Sequence, residues 1–289
     1  MAAVHAITVD AADARAREAV DAAIADVQRI EAKYSRYRDD SLLSRINRAA
    51  GVHSVEIDDE TRALLDYADR CHALSQGRFD VTSGVYRRAW DFRRDPPRIP
   101  VPEQIEALRD LVGWHYVERK GRSVYLRKRG MQLDFGGIGK EYAADRAATI
   151  LQQHGIVHAL VNLGGDVRAV GAQASGSPWH IGIRHPRDPE PAVIASVDVA
   201  EGAIATSGDY ERFFEIDGRR YCHIIDALTG MPVSAWQSIS VAAPLAIVAG
   251  SCSTIAMLMG DEAAAFLRDQ RVAWIGIDAS GRRVGSLGQ

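Results

Sequence analysis

The stretch RFFEIDGRRYCHIID, residues 212–226, decides the fold class. Two runs rich in aromatic and branched residues, 212–216 and 219–225, flank the dipeptide Asp217-Gly218. Asp-Gly accepts the two positive φ angles of a tight turn whose twist matches that of paired strands, so the runs predict an antiparallel hairpin. Working outward, Lys120-Gly121 sits in the same way between 116–119 and 123–126. Further strand-like runs fall at 5–9, 132–135, 157–163, 167–170, 180–184, 194–199, 203–206, 238–242 and 272–277. Apolar residues at helical spacing (Val20, Ala23, Ile24, Val27, Ile30) mark a helix over 11–33. Other predicted helices cover 58–76, 82–90, 102–111, 244–259 and 261–268. A short one through Leu42, Leu43 and Ile46 is capped by Asp39 or Ser41, and another leaves the glycine pair after Phe135 and ends near His154. Helices come early and hairpins late, which predicts an α+β fold of largely antiparallel sheets with packed helices. The Pro-rich loop at 93–102 is the only candidate boundary, so residues 1–289 are read as a single bilobed domain with a cleft.

Composition supports a globular enzyme-sized chain. It has 289 residues, 47% hydrophobic and 25% charged, enough to bury a substantial core. A net charge of -3 argues against a general polyanion-binding surface, so nucleic acid is not an expected partner. Arg87, Arg88, Arg93, Arg94 and Arg98 could gather locally, although a solvated loop rich in Arg and Pro is the simpler expectation. Cys71, Cys222 and Cys252 are far apart and form no CxxC, so neither a disulfide framework nor a zinc site is expected. No apolar run approaches the roughly 20 residues of a membrane span. The opening MAAVHAITVDAADARA has neither the basic nor the apolar region of a signal peptide, and a cytoplasmic location is the expectation. Walker, HExxH and GxSxG signatures are missing, which leaves nucleoside triphosphatase, zinc protease and α/β-hydrolase chemistry without support.

Four segments end an apolar run in glycines and an Asp, or in a His and an Asp. They are LDFGGIGKEYAADRAA (133–148), LVNLGGD (160–166), ATSGDYERFFEIDG (205–218) and HIIDALTG (223–230). Glycine lets a backbone approach a ligand closely, and Asp accepts hydrogen bonds from its donors. A strand–glycine–helix turn presents N–H groups to an anion. Together the segments point to a large, polar, phosphate-bearing ligand. With SRYRDDSLLSRINRA (35–49), GRFDVTSG (77–84) and APLAIVAGSCSTIAMLMG (243–260), they make nearly the whole chain resemble, in order, the FAD:protein FMN transferases of the ApbE family. The resemblance implies FAD and Mg2+, and transfer of the FMN half to a Thr or Ser hydroxyl of an acceptor flavoprotein, with release of AMP.

The resemblance also implies roles for individual residues. Tyr37 would lie on the flavin; Arg78, Phe79 and Asp80 would line the FAD site; Asp134 and Lys140 would contact FAD, Lys140 as a phosphate counter-charge. Gly164 and Gly165 would pack against the ligand, and the His223-Ile224 step would touch it. The backbone carbonyl of Gly137 and the hydroxyls of Ser253 and Thr254 would face the metal. A three-residue match at the start would bring Met1 near FAD. Taken on their own, several of these residues have structural alternatives. Tyr37 is an ordinary half-buried tyrosine, Asp80 a helix cap, and Asp166 a turn residue. His223 reads as a satisfied histidine, as a general base for the acceptor hydroxyl, or as a hydrogen-bond partner of the flavin, and the roles stay open. Thr206, Ser207, Gly208 and Asp209 are expected to shape the cleft.

One departure stands out. Gly250 occupies the position where the family commonly carries an Asp one helical turn before the Thr, and GIGKE replaces GIAKG at 137–141. Mg2+ favours hard oxygen ligands. Glu141, Asp166 or Asp209 could supply the missing carboxylate. Two rival functions follow: an FAD-binding protein with weak or no transfer activity, and a Mg-dependent FAD pyrophosphatase giving FMN and AMP.

Overall fold

The Asp217-Gly218 turn carries the positive φ angles its sequence calls for, 51° and 73°. It joins Phe213–Ile216 to Arg219–Cys222 in antiparallel register. The structure, a computed structural model, describes residues 4–10, 14–188 and 192–288; the Met1 expectation lies outside them.

The frame is a seven-stranded sheet. Its strands run in the order His5–Val9, Ala159–Leu163, Asp166–Val170, Gly202–Gly208, Trp236–Ala243, Ala273–Asp278 and Arg283–Gly285. Every neighbouring pair is antiparallel. Side chains alternate between the two faces of a strand, and the central strands are buried on both. Ala203, Ala205, Ile239 and Val241 pack into the main core with the helices Ala14–Tyr34, Gly139–Gln153 and Ala246–Met259. Ile204, Ala169 and Ala242 face the other way, where the hairpin of Trp179–Arg184 and Val193–Val199 covers them. The Ala246–Met259 helix is buried almost all round, and its Ala, Gly and Ser residues let it lie close to its neighbours. Its first turn has no side-chain cap of its own; Asp145, on the Gly139–Gln153 helix, accepts from Ala246 and Ile247 N–H at 2.8 and 2.9 Å.

A second group of elements packs against the main core. Val55–Glu56, Ser123–Leu126 and Val117–Lys120 form a small sheet beside the helices Leu42–Arg48 and Asp59–Leu74. A satellite cluster of Tyr86, Trp90, Ile105, Phe214 and Tyr221 ties the 213–222 hairpin to this side. Trp90 stacks on Tyr221 at 5.7 Å between ring centroids, and its indole N–H donates to Gly230 O at 2.8 Å.

The structure departs from the sequence expectation in several places, among them the short strands Val55–Glu56 and Arg283–Gly285, which the sequence pattern does not predict, and the 219–225 run, whose strand ends at Cys222. Residues 132–135 form no strand: Leu133 N–H is taken by Asn47 Oδ1 at 2.7 Å and Asp134 N–H by Val81 O at 2.8 Å, so the segment is pinned singly rather than laddered. Residues 82–90 form only a 3-10 turn, Ser83–Arg88. The helix expected over 261–268 begins as a 3-10 turn, Gly260–Glu262, before Ala263–Asp269.

Candidate active site

The fold holds a cleft of about 1320 Å3, above the roughly 300–1,000 Å3 usual for small-ligand pockets. Its walls come from the chain leaving the first helix (35–37), the 78–87 segment, the 134–141 turn, the Gly164-Gly165 turn, residues 204–212, the 223–225 segment after the hairpin and Thr254. The GGxG turn, the LGGD turn, TSG and HII therefore converge on one space, although they are far apart in sequence.

Asp134 organises one wall. Its Oδ1 accepts Gly136 N–H at 2.8 Å, which shapes the glycine turn. Its Oδ2 receives Arg36, and Arg87 Nε at 3.0 Å. Burial opposes the charge, yet Arg87, Arg36 and the Gly136 N–H together hold the carboxyl below its ordinary value. Arg36 also donates to Tyr37 Oη and lies 4.7 Å from that ring's centroid. Tyr37 itself is 66% exposed, with Arg93 also over the ring at 5.7 Å. That exposure sets aside the half-buried alternative.

The opposite wall carries a compact charged group. Gly164 and Gly165 turn with φ of 60° and 93°, values that a β-branched or bulky residue would not tolerate. The turn delivers Asp166, whose Oδ2 lies 2.8 Å from Lys140 Nζ. The pair is a charge contact rather than an aligned hydrogen bond, because Oδ2 has no partner in good donor geometry. Lys140 also reaches Gly164 O at 3.4 Å. Burial works against its charge, but Asp166 and Glu141 outweigh burial and raise its pKa. Glu141 is buried on the same wall, at 7% exposure, with Oε2 lacking any partner. Burial first, then Asp166, push its carboxyl upward.

His223 lines the cleft, anchored by its backbone N–H to Arg212 O at 3.0 Å, with a buried Nδ1 that no group engages. Burial, then Arg87 and Arg212, lower its pKa to about 4, so the ring is neutral at pH 7 and can accept a proton. Ile224 is buried beside it. Asp226, three residues on, receives Leu228 N–H at 2.8 Å and Arg78 Nη1 at 2.6 Å, and so fixes both the HIID turn and Arg78.

Other expected site residues are occupied by the fold. Asp80 Oδ1 accepts Thr82 N–H at 2.8 Å and Thr82 Oγ1 at 2.7 Å, and Oδ2 accepts Trp114 N–H at 2.8 Å. Its carboxylate is thus a turn and loop clamp, while Phe79 and Gly137 meet at the cleft wall. Ser253 does not reach the cleft: it is 0% exposed and its Oγ donates to Gly250 O at 2.9 Å. Ser207 Oγ stands on the cleft side, 2.9 Å from Thr254 Oγ1 and 2.8 Å from Ser253 Oγ. Asp209 is claimed by Arg187, both of whose terminal nitrogens reach it at 2.6 Å. Sequence reasoning missed Arg36, Arg87 and Arg212 as lining groups, while Ser207 lines the cleft as expected. For Arg36 the signal was its place beside Tyr37; for Arg87 it was the Arg-rich run, of which Arg87 and Arg93 line the cleft while Arg88 turns to Gly130 O.

A sequence profile described as the ApbE family matches residues 1–275. The chain belongs to the ApbE family. The ApbE match extends to curated proteins. The FAD:protein FMN transferase of Salmonella typhimurium is 34% identical over 238 residues, 80% of this chain and 68% of that protein. The FAD:protein FMN transferase of Treponema pallidum is 34% identical over 272 residues, 88% of this chain and 74% of that protein. Among solved structures, the ApbE protein of Thermotoga maritima superposes with a TM-score of 0.88 at 32% identity, covering 97% of this chain and 92% of its own. The flavin transferase ApbE of Vibrio cholerae gives 0.82 at 27% identity, covering 98% and 96%. Among the described residues no helix is long and apolar enough to cross a membrane, and no three His, Cys, Asp or Glu side chains gather as a metal cage.

Proposed function

We propose that this ApbE protein moves the FMN half of FAD onto a Thr or Ser hydroxyl of an acceptor flavoprotein and releases AMP. The observation that carries the reading is the convergence, in one cleft of about 1320 Å3, of an exposed aromatic ring, a cationic group beside a glycine turn and a neutral histidine. The protein is a flavin transferase by family. In the reaction the acceptor oxygen forms a bond to the FMN-side phosphorus. The bond from that phosphorus to the bridging oxygen breaks, and AMP leaves with the electron pair.

Each part of the cleft has work suited to its chemistry. Tyr37, backed by Arg36, offers a stacking face for the isoalloxazine ring. Lys140, beside the glycine turn, supplies positive potential for the pyrophosphate. His223 Nδ1, neutral and unengaged, accepts the proton of the attacking hydroxyl. Positioning and charge neutralisation supply most of the acceleration in phosphoryl-type transfer.

Magnesium suits the donor set on this wall: a buried Glu141 oxygen without a partner, Asp166 beside it, and the Ser207 and Thr254 hydroxyls are all hard oxygens. Thr254 and the Gly137 carbonyl are the further groups that would hold it. When bound, such an ion neutralises charge developing on the transferred phosphate.

The test is incubation with FAD and a Thr-bearing acceptor domain, with and without Mg2+, read by mass spectrometry. The expected product is an FMN adduct on the acceptor with one equivalent of AMP. Bound FAD with neither adduct nor AMP, across cognate acceptors, would leave only a binding protein. FMN and AMP formed without acceptor would make the chain a pyrophosphatase.

A further inference from the structure

Glycine at 250 is a steric requirement of this chain. Gly250 lies within the Ala246–Met259 helix, and a Cβ there would stand 3.0 Å from both Cδ and Oε1 of Glu141 and overlap its Cγ. Glu141 comes from the Gly139–Gln153 helix, which packs directly against the first. One side chain fills the space that two would contest, and it is a carboxylate. Its Oε2 is buried without a hydrogen-bond partner, an arrangement that is unfavourable when nothing compensates it. Thr254 follows Gly250 by four residues, so the two lie on one helix face about 5–6 Å apart at Cβ. The carboxylate seated on Gly250 is therefore one helical turn from the Thr254 hydroxyl, which Ser207 Oγ approaches at 2.9 Å. Glu141, Ser207 and Thr254 all line the cleft. Of the two other candidate carboxylates, Asp209 is held by both terminal nitrogens of Arg187, and Asp166 stands in charge contact with Lys140.

We propose that Glu141 is the anionic ligand of a divalent cation in this cleft, reaching from the neighbouring helix into the space left by Gly250, with the Thr254 and Ser207 hydroxyls as neutral oxygen donors and Asp166 as a second negative charge. Positions 141 and 250 then form one carboxylate site that can be filled from either helix but not from both. The inference rests on the flavin-transferase reading for its ligand class, a hydrated Mg2+-type ion that uses one or two carboxylates and completes its shell with water and phosphate oxygens.

The probe is Mn2+, which substitutes for Mg2+ and is counted by electron paramagnetic resonance of the free ion. It is titrated into the full chain with FAD present, for the wild type, Glu141→Gln, and the exchange variant Glu141→Gly/Gly250→Asp. Second-shell changes already cost about 10–100-fold in metal affinity, so Glu141→Gln is expected to weaken Mn2+ by about tenfold or more. The exchange variant, if folded, is expected to regain it. Wild-type affinity in folded Glu141→Gln, or no Mn2+ binding by the wild type, overturns the proposal, and neither depends on the exchange variant folding. FAD binding is followed separately by flavin fluorescence without metal. Loss of FAD binding in the wild type strikes the transferase reading; retained FAD binding with unchanged Mn2+ affinity in Glu141→Gln strikes this inference alone.

Discussion

Replacing Gly250 by Ala sets two effects of opposite sign against each other. In an unconstrained helix interior, Gly→Ala stabilises by about 0.5–1 kcal/mol, because glycine loses more backbone entropy on folding. Here the new Cβ would meet Glu141 at Cγ, with Cδ and Oε1 also at 3.0 Å. The offending Cγ is only one bond beyond the Glu141 Cβ, so flexing the tip of the side chain does not relieve the overlap. Either χ1 of Glu141 changes or two packed helices separate. Overpacking of this kind costs about 1–3 kcal/mol, which leaves the single variant destabilised by up to about 2 kcal/mol. In a Glu141→Ala background the overlap disappears and the same Gly250→Ala change should stabilise by about 0.5–1 kcal/mol. A double-mutant cycle by urea unfolding should thus give a coupling of about 1–3 kcal/mol. Additivity within about 0.5 kcal/mol, the ordinary result for independent sites, would mean that Glu141 is not seated on Gly250 and would remove the steric basis for its proposed role.

Three further outcomes follow from the cleft. Tyr37→Ala should leave unfolding free energy within about 0.5 kcal/mol of wild type, because an exposed ring contributes little to the core, while flavin fluorescence titration shows weakened FAD binding; equal affinity would detach Tyr37 from the flavin. Asp134→Asn leaves Arg36 and Arg87 without their carboxylate and should destabilise by about 3 kcal/mol, the low end for breaking a buried ion pair; chemical denaturation measures it. For His223 the folded pKa of about 4 lies below the unfolded value near 6.5. The unfolded chain therefore takes up a proton first as pH falls, and stability is retained above pH 6.5 and lost between there and pH 4. The loss is at most about 3 kcal/mol, and His223→Gln should flatten that window in unfolding curves at pH 7, 5.5 and 4; an unchanged slope would place His223 in contact with solvent.

The legible parts of the fold were those whose signal is local. Asp217-Gly218 fixes its hairpin because the turn chemistry needs nothing from the rest of the chain. The alternation of Ala203, Ile204 and Ala205 between the two faces likewise follows from strand period alone. The failures were segments whose backbone is satisfied by distant groups. Residues 132–135 are apolar enough for a strand, but Asn47 and Val81 take their N–H groups one at a time. Residues 82–90 read as a helix, yet Asp80 receives both the N–H and the hydroxyl of Thr82 and draws the chain into a tighter 3-10 turn. Val55–Glu56 and Arg283–Gly285 are too short to carry any period.

The candidate site divides along the same line. Glycine turns and the His-Ile step could be found because they are contiguous, and they do meet in one cleft. That Ser253 would be sealed off while Thr254 lines the cleft could not be found, since the two are neighbours in sequence and both meet Ser207 Oγ, which arrives from a strand. The carboxylate is the clearest case. A reading along one helix sees only that Gly250 lacks an acid. The adjacent helix supplies Glu141 at the point where a Gly250 side chain would have been, and Glu141 lines the same cleft as Ser207 and Thr254. A side chain lost from one helix and a side chain gained on its neighbour are two unrelated departures in sequence. In the packed structure they are a single substitution of position, because the space they compete for holds only one carboxylate.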